Sequence, residues 1–203
     1  MRSLSEIDTL SKRASKGIGF SWGISEEIGK SIKLMEMFGL PGLKNLNNYF
    51  KVIKKSQFQN ISIITETNIS NNIPYCPLIT GINFMDQIHS LEKYNKIIFN
   101  NMAYPILLIP FISRSSEIIG KRLSLKVENE TFLLNFNQSI HLKSNLSNLK
   151  DKVEVLEIEF LKNENTFDEK DWEELYKLSE KTFVKENESL KNTAAGAGLT
   201  DND

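Results

Sequence analysis

Cysteine is almost absent from this chain: Cys76 is the only one in 203 residues, which excludes an internal disulfide and every multi-cysteine zinc or iron–sulfur site. Charge of one sign is lacking too. Lys and Arg number 25 against 26 Asp and Glu, a formal charge of -1, so no global field is present to hold nucleic acid or an anionic membrane. Arginine occurs only at positions 2, 13, 114 and 122, which makes each arginine more informative than a lysine. Long apolar runs are missing: the most apolar stretch, 102–112, is about half the ~20 residues of a membrane-spanning helix and contains Pro105 and Pro110. It reads as buried core. The first residues carry apolar side chains at helical spacing rather than the continuous apolar centre of a secretory signal, and a cytoplasmic protein is expected.

What is present, 40% hydrophobic side chains, is enough to bury one substantial core. Ser3 and Glu6 match a capping box, Leu4, Ile7, Leu10 and Ala14 follow on one helical face, and Gly17 supplies the stop. Ser25 is the expected cap of a second helix, with Glu26 and Glu27 in its first turn, Ile28, Ile32 and Met35 as its apolar stripe and Gly39 as its end. After Pro41-Gly42, a third helix carries Leu43, Leu46, Phe50 and Ile53.

From about Gln57 the pattern turns to strands. Residues 61–65 and 106–109 are strand candidates, and "NNIPYCPLITG", with its two prolines, argues against regular helix before Ile82. The segment 82–91 is undecided. Leu123, Leu125 and Val127 alternate with polar residues, as do Phe132, Leu134 and Phe136 after Glu128-Asn129-Glu130: a hairpin. In "VEVLEIEF" the apolar set changes phase between Val155 and Leu156, which puts the two halves on opposite faces unless a bulge intervenes. A last helix is expected from Thr166, capped with Glu169, with Trp172, Leu175, Tyr176 and Phe183 as its face. The expected architecture is α+β: amino-terminal helices (1–56) packed on a mostly antiparallel sheet (57–161), then a helix (166–184), all in one domain 1–186, and a glycine-rich tail 187–203.

Candidate sites follow from residue types. "KGIGFSWGISEE" places Gly17, Gly19 and Gly23 around Trp22 ahead of Glu26 and Glu27. A phosphate cradle is disfavoured, because the segment follows a helix rather than a strand and two carboxylates would repel the anion. Two readings remain: a glycine turn anchored by Phe20 and Trp22, or a ligand site with Trp22 as a wall and one glutamate as a cation or proton group. Adjacent helical residues diverge by about 100°, so at most one glutamate contacts a given ligand atom. Gly29, inside the helix, implies close packing or ligand approach. Arg114, expected at a strand end where the apolar segment emerges into "RSSE", either clamps a carboxylate or pairs with Glu117 on the surface. Cys76 reads as a small buried side chain rather than a nucleophile, and His89 and His141 as surface residues; no metal set emerges.

The stretches "GIGFSWGISEEIG" (17–29), "CPLITG", "PILLIPFISR" and "AGAGLTDND" (195–203) together resemble a bacterial family known only as a domain of unknown function. That resemblance implies an ordered role for the tail, with Gly196 and Gly198 allowing close backbone approach and Asp201 and Asp203 forming an acidic end beside 17–27. The sequence thus points to a small-molecule-binding protein or metabolic enzyme with no reaction class and no cofactor specified. The alternative is a non-catalytic accessory subunit that docks a partner enzyme or another copy of itself. No nucleic acid or membrane partner is expected.

Overall fold

The computed structural model describes residues 2–53, 55–135, 137, 139–142, 149–162 and 166–182. They fall in two compact units, Met1–Asn163 and Glu164–Asp203. The larger unit is α+β. Its elements run α1 (Leu4–Ile18), α2 (Trp22–Met37), α3 (Gly42–Ile53), β1 (Thr67–Ile69), α4 (Pro77–Leu91), β2 (Lys96–Ala103), a 3-10 turn (Pro105–Leu108), α5 (Ile109–Ile119), β3 (Leu123–Val127), β4 (Glu130–Asn135), β5 (Ser139–Leu142) and β6 (Lys152–Phe160). The sheet order is β1-β2-β6-β3-β4-β5, antiparallel throughout except for the parallel β1/β2 pair.

α1 begins as its sequence predicts. Ser3 Oγ accepts from the Glu6 amide at 3.2 Å, and Glu6 accepts from the Ser3 amide at 2.8 Å. Its end lies two residues beyond the expected Gly17, at Gly19, whose φ of 118° suits only glycine; the Gly19 and Phe20 amides close onto the carbonyls of Lys16 and Ser15. α2 also departs from expectation. Its cap is Ser21, which accepts from the Ile24 amide, whereas Ser25 is buried inside the helix and donates its hydroxyl to the Ser21 carbonyl at 2.8 Å. Either serine satisfies the capping pattern, and the earlier one wins because it frees Trp22 to Ile24 to form the first turn.

Residues 61–65 do not form a strand. Asn83 and Gln87 of α4 hold the carbonyls of Ile61 and Ser62, and Gln87 accepts from the Ile64 amide, so α4 side chains take the groups a ladder would use. Three prolines read as interruptions are instead helix starters. Pro77 opens α4 directly after Cys76, Pro105 opens the 3-10 turn, and Pro110 is the second residue of α5. The expected strand 106–109 is therefore the 3-10 turn and the start of α5. The strand before it is β2, and it explains the phase change in β6. Buried Ile97, Phe99 and Met102 pair with buried Ile158, Leu156 and Val153, and the ladder skips Asn101 and Glu154 where both strands shift together. Asn101 takes φ 68°, a conformation asparagine tolerates better than most residues.

The β3/β4 hairpin forms in the register 123↔134 to 127↔130, as its alternation predicts; Phe136 lies outside the described residues. One apolar cluster joins the sheet to all five helices of this unit, from Ile7 and Ile28 through Phe84 and Phe111 to Phe132 and Ile158. In the second unit, α6 (Glu169–Ser179) is capped by Asp168 with Asp171, not by Thr166 with Glu169, and Phe167 stacks on Trp172 at 5.8 Å. Phe183 lies outside the described residues.

Candidate functional site

The early start of α2 decides where the two glutamates go. Glu26 and Glu27 sit beyond the first turn, so they do not complement the amino end of the helix as expected. Their 100° divergence sends them to different neighbours. Glu26 faces α1, with Lys12 Nζ at 3.9 Å, and Glu27 faces α5, where its Oε2 lies 2.6 Å from Arg114 Nη1. Glu27 Oε1 also accepts from Lys30 Nζ at 2.7 Å. Both members of the Glu27–Arg114 pair are about four-fifths covered, at 22% and 19% side-chain exposure. Burial alone would raise the Glu27 carboxyl, but Lys30 and Arg114 together hold it below its ordinary value.

Arg114 lies within α5 rather than at a strand end, and its carboxylate partner is Glu27 of α2. A ligand carboxylate would therefore have to displace Glu27. The pair lies in an open groove of ≈ 600 Å³ between α2, α4 and α5. Ile24, Ile82, Met85 and Ile118 supply its apolar surface, and Ser21, Gly23, Glu26 and Asp86 complete it. Asp86 is exposed and, among the described residues, has no ion-pair partner. Glu26, Glu27 and Asp86 against Arg114 leave the groove acidic.

Of the residues singled out from the sequence, Glu26, Glu27, Arg114 and Gly23 meet in this groove. Trp22 does not line it: the residue is 57% exposed, with Lys16 Nζ 5.5 Å from its ring centroid. Gly17 lies in the last turn of α1 and Gly19 terminates it. Gly196, Gly198, Asp201 and Asp203, and with them the docking of the tail beside 17–27, lie outside the described residues. The sequence reading missed Ile82, Met85 and Asp86. The available signal was the i, i+3, i+4 spacing of these three residues in a segment whose helical character the preceding prolines obscured.

Cys76 is buried, and the Tyr49 hydroxyl donates to its sulfur at 2.9 Å. Burial pushes the thiol up despite the Tyr49 hydrogen bond and the Ile79 and Leu78 amides, so it stays protonated at neutral pH. His89 lies thirteen residues further along α4, about 20 Å of helix rise away, and pairs with Glu92 at 3.5 Å. His141 is exposed on β5. Among the described residues, no group of three or more His, Cys, Asp or Glu side chains is placed to hold a metal ion, and no helix is long and apolar enough to cross a membrane.

Residues 2–73 match the model of a family described as a protein of unknown function, DUF3726. The matched segment takes in α1, α2, α3 and β1 and with them the Glu26–Glu27 side of the groove. No curated protein matches the chain, and no solved structure does.

Proposed function

We propose that the protein binds a small molecule in the α2/α4/α5 groove, and that the ligand combines an apolar body with a positively charged amine. The observation that carries this reading is the Glu27–Arg114 pair. Among the described residues it fixes α2 against α5 and occupies the one arginine lining the groove, leaving Asp86 as the charge without an ion-pair partner beside Ile82, Met85 and Ile118. An ammonium group beside Asp86 gains a charge-assisted hydrogen bond, and the isoleucines and methionine cover the rest of the ligand. No reaction is assigned, because the groove's charged groups are three carboxylates and one guanidinium, and the buried thiol of Cys76 is not among its lining residues.

A thermal-shift titration with arylalkyl- and alkylammonium ions tests the proposal. Saturating ligand, at about a hundred times its Kd, stabilises by about 2.7 kcal/mol, a Tm rise of several degrees for a chain of this size. Asp86→Asn should abolish the rise while leaving the Tm of the free protein unchanged. A panel that leaves Tm flat, or an Asp86→Asn variant that responds like the parent, overturns it.

A further inference from the structure

A second concave surface lies on α1 and α3, outside the groove described above. α1 and α3 touch at only a few points, and two hollows lie one after the other in a seam along α1, the first reaching α3 at Leu43 and the second at Asn47, Phe50 and Lys51. The first, ≈ 560 Å³, has Ile7, Leu10 and Leu43 in its lining; the second, ≈ 580 Å³, has Ala14, Ile18 and Phe50. The fifteen residues of α1 make this seam about 22 Å long. Its apolar residues are incompletely covered: Leu10 is 60% exposed and Leu4, at the start of the same helix, 40%.

The rim is cationic. Among the described residues, Arg2, Arg13, Lys51 and Lys55 line the two hollows against Glu6 as the single carboxylate, and α3 contains no acidic residue at all. Arg2 and Glu6 pair with each other on the surface at 3.5 Å. Among the described residues, Arg13, Lys51 and Lys55 have no carboxylate within ion-pairing distance, although the whole chain holds more carboxylates than cations. Three cations without a carboxylate partner thus line the two hollows, Arg13 in the one that holds Leu10 and Lys51 and Lys55 in the one that holds Phe50, where desolvation by a partner would strengthen any ion pair they form.

We infer that the α1/α3 seam is a docking site for an acidic amphipathic helix of a partner protein. A helix laid in a groove between two others meets it through apolar residues at i, i+3, i+4 and i+7, and its flanking carboxylates then reach the cations on either rim. A helix of about fifteen residues fills the length. Seam-to-seam pairing of two copies would instead set cations against cations, which is disfavoured. A lipid surface fits poorly, because peripheral helices enter it with a convex apolar face, whereas Leu10 and Leu43 line a concave one.

The test uses the full chain and a fluorescein-labelled synthetic helix of about sixteen residues, with leucines at the i, i+3, i+4, i+7 positions and glutamates on both flanks. Fluorescence anisotropy should show saturable binding that weakens with salt. Arg13→Glu and Lys51→Glu should each raise the Kd about tenfold, equivalent to about 1.4 kcal/mol, while far-ultraviolet circular dichroism and Tm stay unchanged. If either charge reversal perturbs folding, Arg13→Gln and Lys51→Gln replace it. A peptide with lysine in place of every glutamate should bind at least about tenfold more weakly. Equal binding of the two peptides, no saturation by the acidic one, or indifference to all four substitutions overturns the proposal. So does self-association of the chain that Arg13→Glu abolishes, which assigns the seam to a second copy. Vesicles of phosphatidylglycerol that bind the chain through Arg13 and Lys51 when the peptide does not would assign it to a lipid surface, and also overturn the proposal.

Discussion

A Cβ on residue 29 would lie 2.6 Å from Asp8 Oδ1, 2.9 Å from the Asp8 carbonyl and 3.2 Å from Lys12 Cβ. Glycine at this position therefore lets α2 approach the backbone of α1, and the helical cost of glycine is offset by that packing. Gly17 belongs to the same sequence motif but has nothing within 4 Å, and it lies inside α1. The two positions should respond oppositely to alanine. Gly29→Ala is expected to destabilise by about 1–3 kcal/mol through forced separation of the helices, and Gly17→Ala to stabilise by about 0.5–1 kcal/mol. Urea unfolding of the two variants checks this, and effects of the same sign would remove the close-approach explanation. Cys76 offers a second test at this scale. Its buried, protonated thiol, tied to the Tyr49 hydroxyl, should react with Ellman's reagent at neutral pH only as fast as the protein unfolds. Rapid modification of the native protein at a rate independent of added urea would show an accessible thiolate instead.

At the scale of elements, α2 and α5 are joined across the groove by the Glu27–Arg114 pair. Exposed pairs contribute less than about 1 kcal/mol and removal of one partner from a fully buried pair costs about 3–5 kcal/mol, so Arg114→Ala at this intermediate burial should cost about 1–2 kcal/mol. The Glu27 carboxyl is held below its ordinary value of 4.5, so its contribution is complete above that pH and is lost as the pH falls through the folded-state value. Arg114→Ala should therefore lower stability at pH 7 more than at pH 3, and parallel stability curves from pH 3 to 7 would show that the pair does not couple the two helices. Both residues stood out in the sequence, but their pairing did not. The helix start that aims Glu27 depends on a choice between Ser21 and Ser25, and Arg114 was placed after an apolar run whose residues 106–109 read as a strand rather than as the lead into α5. The helices α1 to α3 and the β3/β4 hairpin were legible because one face of each is polar, which makes the period visible. The stretch 102–112 was not, since a segment buried on all sides shows no period, and Pro105 and Pro110 look the same whether they break a structure or begin one. Strand 61–65 failed for a different reason, since its backbone partners are Asn83 and Gln87 of α4, a contact with no local signature.

At the scale of the molecule, the family match and the physical unit have different boundaries. Residues 2–73 supply α1, α2, α3 and β1, yet Ile7, Ile28, Ile32, Met35 and Tyr49 belong to the same apolar cluster as Phe84, Leu108, Phe111 and Ile158, which come from beyond residue 73. Tyr49 illustrates the dependence: its ring lies edge-on to Tyr104 at 5.5 Å, and its hydroxyl is bonded to Cys76. β1 likewise has its ladder partner, β2, outside the matched segment. A fragment of residues 1–73 would expose the apolar faces of three short helices, and isolated helices of this length are marginal in water. Such a fragment is expected to show reduced helicity by circular dichroism, no near-ultraviolet signal from Tyr49 and a broad thermal transition, whereas residues 1–163 should unfold in one cooperative step. Cooperative unfolding of the short fragment with full helicity would mean that α1–α3 form a core of their own, and that the sheet with α4 and α5 is an addition to it rather than the other half of a single core.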